Sequence, residues 1–143
     1  MTIHQISVFL ENRAGQLAEI TGILSENHID LRALNIAETA DYGVLRLITS
    51  DAQKASSVLL EHGFILTMTP VTAVSVPDRP GGLSELLRAM SEAQIDIEYM
   101  YSVFGQKNGL AYMIFRVADA EKLDAVLTDC GLGTVSSDAL GIH

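Results

Sequence analysis

Residues 8–30 read VFLENRAGQLAEITGILSENHID, and residues 74–96 read VSVPDRPGGLSELLRAMSEAQID. Laid over each other, they agree at Val8 and Val74, Arg13 and Arg79, Gly15 and Gly81, Leu17 and Leu83, Glu19 and Glu85, Ser25 and Ser91, Glu26 and Glu92, Ile29 and Ile95, and Asp30 and Asp96. Identities at one fixed offset mark an internal repeat. The agreement spreads outward: Gly43 and Ile48 recur as Gly109 and Ile114. After a small insertion, Asp51, Ala52, Lys54, Val58, Leu59 and Gly63 recur as Asp119, Ala120, Lys122, Val126, Leu127 and Gly131. A unit of roughly 66 residues is longer than solenoid periods, and two copies are too few for an array. The chain is therefore read as two tandem domains, residues 1–69 and 70–143, with the seam near residues 69–71.

Within each copy the periodicity changes in a fixed order. Ile6, Val8 and Leu10, like Val74 and Val76, alternate as a half-buried strand requires. A turn with a glycine follows, and then helical spacing: Leu83, Leu86, Leu87 and Met90 fall at i, i+3, i+4 and i+7, with Leu17, Ile20, Thr21 and Leu24 as a weaker counterpart. A second strand opens at Ile29 or Ile95. A hairpin lies at Asp41-Tyr42-Gly43 or Lys107-Asn108-Gly109, and a third strand at residues 44–49 or 110–117. Asp51 and Asp119 stand where an N-cap belongs, and Gly63 and Gly131 where a C-terminal cap belongs. Residues 64–68 close the first copy as a strand, and residues 134–137 are expected to close the second. The order β-α-β-β-α-β, twice, is the split βαβ plan of a ferredoxin-like α+β sandwich.

The 143-residue chain has 18 acidic residues against 9 Lys plus Arg, a formal net charge of -9. That balance argues against a surface built to neutralise phosphates, so no direct nucleic-acid partner is expected. With 48% hydrophobic residues, a real core is expected. The longest stretch without a charged residue, His62 to Pro77, is too short for a membrane span and holds two prolines, so no membrane partner is expected. The absence of a basic, apolar-cored leader and the single Cys130 point to a reducing cytoplasmic location.

No phosphate-binding glycine loop, nucleophile elbow or His-Glu-x-x-His helix occurs, and candidate nucleophiles are not shared between the copies. Cys130 falls on the stripe of Leu123, Val126 and Leu127 and is read as core. His4, His28, His62 and His143 show no ligand spacing and are read as surface or helix-end residues. The turn before each first helix is the better candidate. Gly15 or Gly81 lets a ligand approach the backbone, and the helix N–H groups beyond attract a carboxylate. Asn12, Asp78, Asp30 and Asp96 can accept hydrogen bonds from an ammonium group. From the residues alone a second reading stays open, in which these side chains only shape turns and the glycines only satisfy the backbone.

Asn12-Arg13-Ala14-Gly15-Gln16-Leu17 and Asp78-Arg79-Pro80-Gly81-Gly82-Leu83, each followed about a dozen residues later by Asn27-His28-Ile29-Asp30 or Ala93-Gln94-Ile95-Asp96, resemble the ACT domain. The resemblance covers both halves. ACT domains are ferredoxin-like ligand-sensing modules on amino-acid-metabolic enzymes, in regulatory subunits and in free-standing tandem proteins, and this chain looks like the last kind. The resemblance implies two βαββαβ domains in tandem, antiparallel sheets joined side by side, helices on one face. It implies a non-catalytic regulator without cofactor or metal, binding a free amino acid where paired domains meet. Its ligand-binding residues would be Asn12, Arg13, Ala14, Gly15, Gln16, Leu17 and Asp30, with Asp78, Arg79, Pro80, Gly81, Gly82, Leu83 and Asp96. Its further partners would be its own oligomer and an amino-acid-metabolic enzyme. The alternative is a constitutive regulatory subunit of a biosynthetic enzyme, with degenerate pockets. The halves are expected to meet through their second strands, residues 29–36 and 95–102. The loop of Pro80, Gly81 and Gly82 is expected to admit the closer backbone contact.

Overall fold

The computed structural model describes residues 2–11, 13–38 and 42–142. Its elements run β1 (Thr2–Glu11), α1 (Gln16–Glu26), β2 (Leu31–Glu38), β3 (Tyr42–Thr49), α2 (Ala52–Glu61), β4 (Leu66–Pro77), α3 (Gly82–Glu92), β5 (Ile97–Lys107), β6 (Leu110–Val117), α4 (Ala120–Asp129) and α5 (Ser137–Leu140). Two compact units result. One holds residues 4–69 with residues 140–142, the other residues 70–139 with Thr2 and Ile3.

In the first unit the strand order is β2-β3-β1-β4. β1 and β3 are antiparallel, with Ile6 opposite Leu47 and Val8 opposite Leu45. Those four side chains point to the face that α1 and α2 cover, and they form one core with Ile20, Ile23 and Leu24 of α1 and Ala55, Val58 and Leu59 of α2. The second unit repeats the plan. Its strand order is β4-β6-β5, and Val74, Val76, Phe115 and Val117 pack against Leu86 and Met90 of α3 and Leu123, Val126 and Leu127 of α4. Fully burying side chains of this size contributes about 1.5–3 kcal/mol each, so these apolar stripes hold the helices in place.

The helix ends follow from named residues. Asp51 Oδ1 accepts from Lys54 N–H at 3.0 Å, and Asp119 Oδ1 from Lys122 N–H at 3.1 Å, as N-caps do. At the far ends, Phe64 N–H donates to Leu59 O and Leu132 N–H to Leu127 O, across Gly63 and Gly131 at φ 85° and 71°. These are Schellman caps. α1 and α3 end the same way across His28 and Gln94, at φ 58° and 60° without being glycines. The Asn108-Gly109 turn has positive φ at both residues, 55° and 72°, the geometry a two-residue hairpin favours. Its counterpart at Asp41 lies outside the described residues.

β4 runs through residues 69–71 as part of a 12-residue strand; Pro70 lacks only an N–H, which a strand can spare where no partner needs it. In each unit the second strand is an edge strand, β2 beside β3 and β5 beside β6. One expectation needs correction. The closing strand at residues 134–137 reduces to one bridge, Val74 with Thr134. There Ser136 Oγ accepts from Ala139 N–H at 3.2 Å and turns the chain into α5 instead.

Candidate functional site

α1 starts at Gln16 because Gly15, left-handed at φ 85°, swings the chain out of the strand, and Gly81 does the same for α3 at φ 90°. Neither helix has a side-chain cap. The first internal bonds run from Glu19 N–H to Gly15 O and from Glu85 N–H to Gly81 O, both 2.9 Å. The N–H groups of residues 16–18 and 82–84 precede those bonds and are the orphan donors of a helix start, where the dipole is positive. Gly82 N–H is already engaged, donating to Arg79 O at 3.0 Å.

The arginine of each loop is engaged as well. Arg13 lies 3.6 Å from both Glu11 and Glu19, and Arg79 Nη2 lies 3.2 Å from Glu85 Oε2. All five side chains are exposed, so the pairs add little stability. Their effect is chemical, since each guanidinium is held by the chain's own carboxylate beside the helix end. Glu19 and Glu85, which recur in the repeat, were the sequence signal for this pairing.

The remaining site residues divide. Ala14 and Pro80 are exposed, while Leu17 and Leu83 are half-buried against their unit's core. Asn12 lies outside the described residues. Asp78 is exposed, and its backbone N–H donates to Gly109 O at 2.9 Å. Asp30 sits at the opposite end of α1 from Gln16, about 15 Å away along an 11-residue helix. One amino acid therefore cannot touch both Gln16 and the Asp30 of the same unit. Asp30 is also paired with Arg32 at 2.9 Å, whose Nε donates to Leu140 O at 2.7 Å. Asp96 is exposed in the matching place, where the residue aligned with Arg32 is Glu98, paired with Arg116 at 3.1 Å.

Position 16 separates the two loops. Gln16 is buried, 6% exposed, and its Oε1 has no hydrogen-bond partner among the described residues. At the aligned Gly82 a Cβ would run into the carbonyl oxygen of Pro77, while Gly81 beside it meets only the Arg79 guanidinium at 3.9 Å. Beside Gln16 the first unit forms a cavity of about 280 Å³, lined by Phe9, Leu10 and Glu11 of β1, Tyr42 of β3, and Gly63, Phe64 and Ile65. Phe9, Tyr42 and Ile65 are 45%, 47% and 70% exposed, and the rings of Phe9 and Tyr42 meet at 6.4 Å. Sequence reasoning missed this wall. Its one signal was Phe9, a large ring at an outward position between inward Val8 and Leu10.

Cys130 is exposed, contrary to its reading as core, because α4 ends at Asp129 and leaves it as the C-cap, off the buried stripe. His62 holds the same place after α2, its Nδ1 2.9 Å from Val58 O, and His28 is the helix-end residue after α1. His143 lies outside the described residues. Among the described residues no group of three His, Cys, Asp or Glu side chains could hold a metal, and no helix is long and apolar enough to cross a membrane.

A family model described as an ACT domain pair matches residues 1–141. Among solved structures, one from Bacteroides thetaiotaomicron is similar at 38% identity and a TM-score of 0.90, covering 99% of this chain and 96% of that one. The ligand-free regulatory subunit of aspartate kinase from Thermus thermophilus is similar in fold, with 17% identity, a TM-score of 0.66 and coverage of 92% and 95%. The aspartate kinase regulatory subunit of Thermus flavus gives 18%, 0.59 and coverage of 90% and 92%. No curated protein matches the chain.

Proposed function

Because the chain belongs to the ACT domain pair family, we propose that it is a non-catalytic regulatory protein that binds a free amino acid at its strand-to-helix loops and passes occupancy to a partner protein or to its own oligomer. The observation that carries this reading is the pair of uncapped helix starts, each opened by a left-handed glycine. Such an end attracts a carboxylate. Nothing lies within 4 Å of where a Cβ would stand on Gly15, and on Gly81 only the Arg79 guanidinium at 3.9 Å, so a ligand can come close to either backbone. Residues 13–17 and 78–83 hold the carboxylate in this reading, and Asp30 and Asp96 serve as ammonium partners only for a loop other than their own. To act as a signal the ligand must bind two states of the protein unequally.

Thermal unfolding tests it. An L-amino acid at ~100 times its dissociation constant should add about 2.7 kcal/mol of stability, while the corresponding decarboxylated amine should add none. Equal effects of acid and amine would remove the helix ends from the site, and no effect from any common amino acid would remove the reading.

A further inference from the structure

We infer that the loop of the first unit selects an L-amino acid with a large apolar side chain, seated in the cavity beside Gln16. This rests on the amino-acid reading above and names the ligand class for that loop.

Gln16 is the first residue of α1, so the wall of the cavity and the helix start that would bind a carboxylate are the same piece of chain. Its Oε1 is out of solvent without a donor among the described residues, although a buried acceptor normally finds one and its loss costs about 1–3 kcal/mol. A ligand ammonium supplies that donor once the Gln16 side chain, which lines the cavity but keeps Oε1 out of solvent, turns toward it. Glu11, on the same wall, is shared with the Arg13 guanidinium at 3.6 Å. The rest of the wall is Phe9, Leu10, Tyr42, Gly63, Phe64 and Ile65, and among these described residues there is no cation and no hydroxyl beyond the phenol of Tyr42. Three rings and a branched aliphatic chain offer an apolar side chain, an aromatic one above all, burial and edge-to-face contact that a small polar side chain cannot use. At about 280 Å³ the space is at the small end of ligand pockets, the scale of a free amino acid. A zwitterion with an apolar tail thus meets orphan N–H donors, an orphan acceptor and an apolar wall in one place.

Calorimetry on the full chain, with L-phenylalanine, L-leucine, L-serine and 2-phenylethylamine as probes, tests this. L-Phenylalanine should bind at least about tenfold more tightly than L-serine, and 2-phenylethylamine should not compete. Ile65→Asp, at an exposed position and checked by circular dichroism, should weaken phenylalanine about tenfold or more. Gln16→Leu should weaken L-phenylalanine but not 3-phenylpropionate, which lacks the ammonium. If L-serine binds and L-phenylalanine does not, or if Ile65→Asp leaves phenylalanine affinity unchanged, the inference fails while the amino-acid reading stands. If no amino acid binds, both fail. An oligomer that Ile65→Asp dissociates, without any ligand effect, would give the wall to a second copy of the chain and also overturn the inference.

Discussion

The two strand-to-helix loops share a left-handed glycine, an arginine tied to a glutamate in the first turn of the helix, and an uncapped helix start, yet they use the next position in opposite ways. In the second loop Gly82 gives up its side chain so that the chain can close on its own Pro77 carbonyl and Arg79 carbonyl. In the first, Gln16 keeps a long polar side chain buried with its acceptor unsatisfied beside a cavity. Of the two glycines that read in sequence as room for a ligand, Gly82 is needed by the chain itself and Gly81 stays open. The position that looks crowded is the one left with an unmet hydrogen bond.

The largest effect should come from breaking the closed loop. Gly82→Ala places a Cβ against a backbone carbonyl that cannot swing aside, and should cost about 3 kcal/mol in urea unfolding. Helix propensity alone would favour the alanine by about 1 kcal/mol, so the sign is diagnostic. Gly15→Ala meets open space and Gly81→Ala only ordinary contact with the Arg79 guanidinium at 3.9 Å, so each costs only the left-handed backbone, about 1–2 kcal/mol. Should Gly82→Ala prove no worse than these, the second loop is not closed. Next in size is Gln16→Leu. Removing a buried acceptor without a partner should stabilise the free protein by about 1 kcal/mol while it weakens ligand binding, a trade between stability and function that no substitution at position 82 can reproduce. A destabilised Gln16→Leu would mean that the amide has a structural partner.

What the sequence disclosed is what depends on neighbours in the chain. Repeat identities, the aspartate N-caps at residues 51 and 119, the glycines at 63 and 131 and the Asn108-Gly109 hairpin are local chemistry, and each stands where its residue type requires. What stayed hidden depends on contacts between distant segments. Phe9 and Ile65 meet because Phe9 N–H donates to Ile65 O, and Tyr42 joins them because β3 pairs with β1 so that Tyr42 faces Glu11. No periodicity announces such a wall. The chain's end misled for a smaller reason: Thr134-Val135 reads as strand, but the next serine's hydroxyl is a better helix cap than the segment is a strand.

Where the halves agree, their energetics should agree too. Asp51→Ala and Asp119→Ala each remove one N-cap acceptor of nearly equal length, 3.0 and 3.1 Å, and should each cost about 1 kcal/mol in denaturant melts. A difference above about 1 kcal/mol would show that the units do not unfold together, because only then is one cap measured against a different reference state.

The smallest effect is also the most specific to the repeat. His28 and Gln94 take the left-handed position that ends α1 and α3, a place held by glycine after α2 and α4. A non-glycine residue there is strained by about 1 kcal/mol, and glycine relieves it, but glycine also loosens the unfolded chain by about 0.4–1 kcal/mol. His28→Gly should therefore raise stability by only about 0.5 kcal/mol. Gln94→Gly should gain less, because the Gln94 Nε2 also reaches the Ser91 carbonyl at 3.4 Å, and that contact leaves with the side chain. Paired melting curves of the two variants check the order. A His28→Gly variant less stable than the parent would mean that the imidazole contributes more to the end of α1 than the strain removes, and would break the equivalence of the two helix ends.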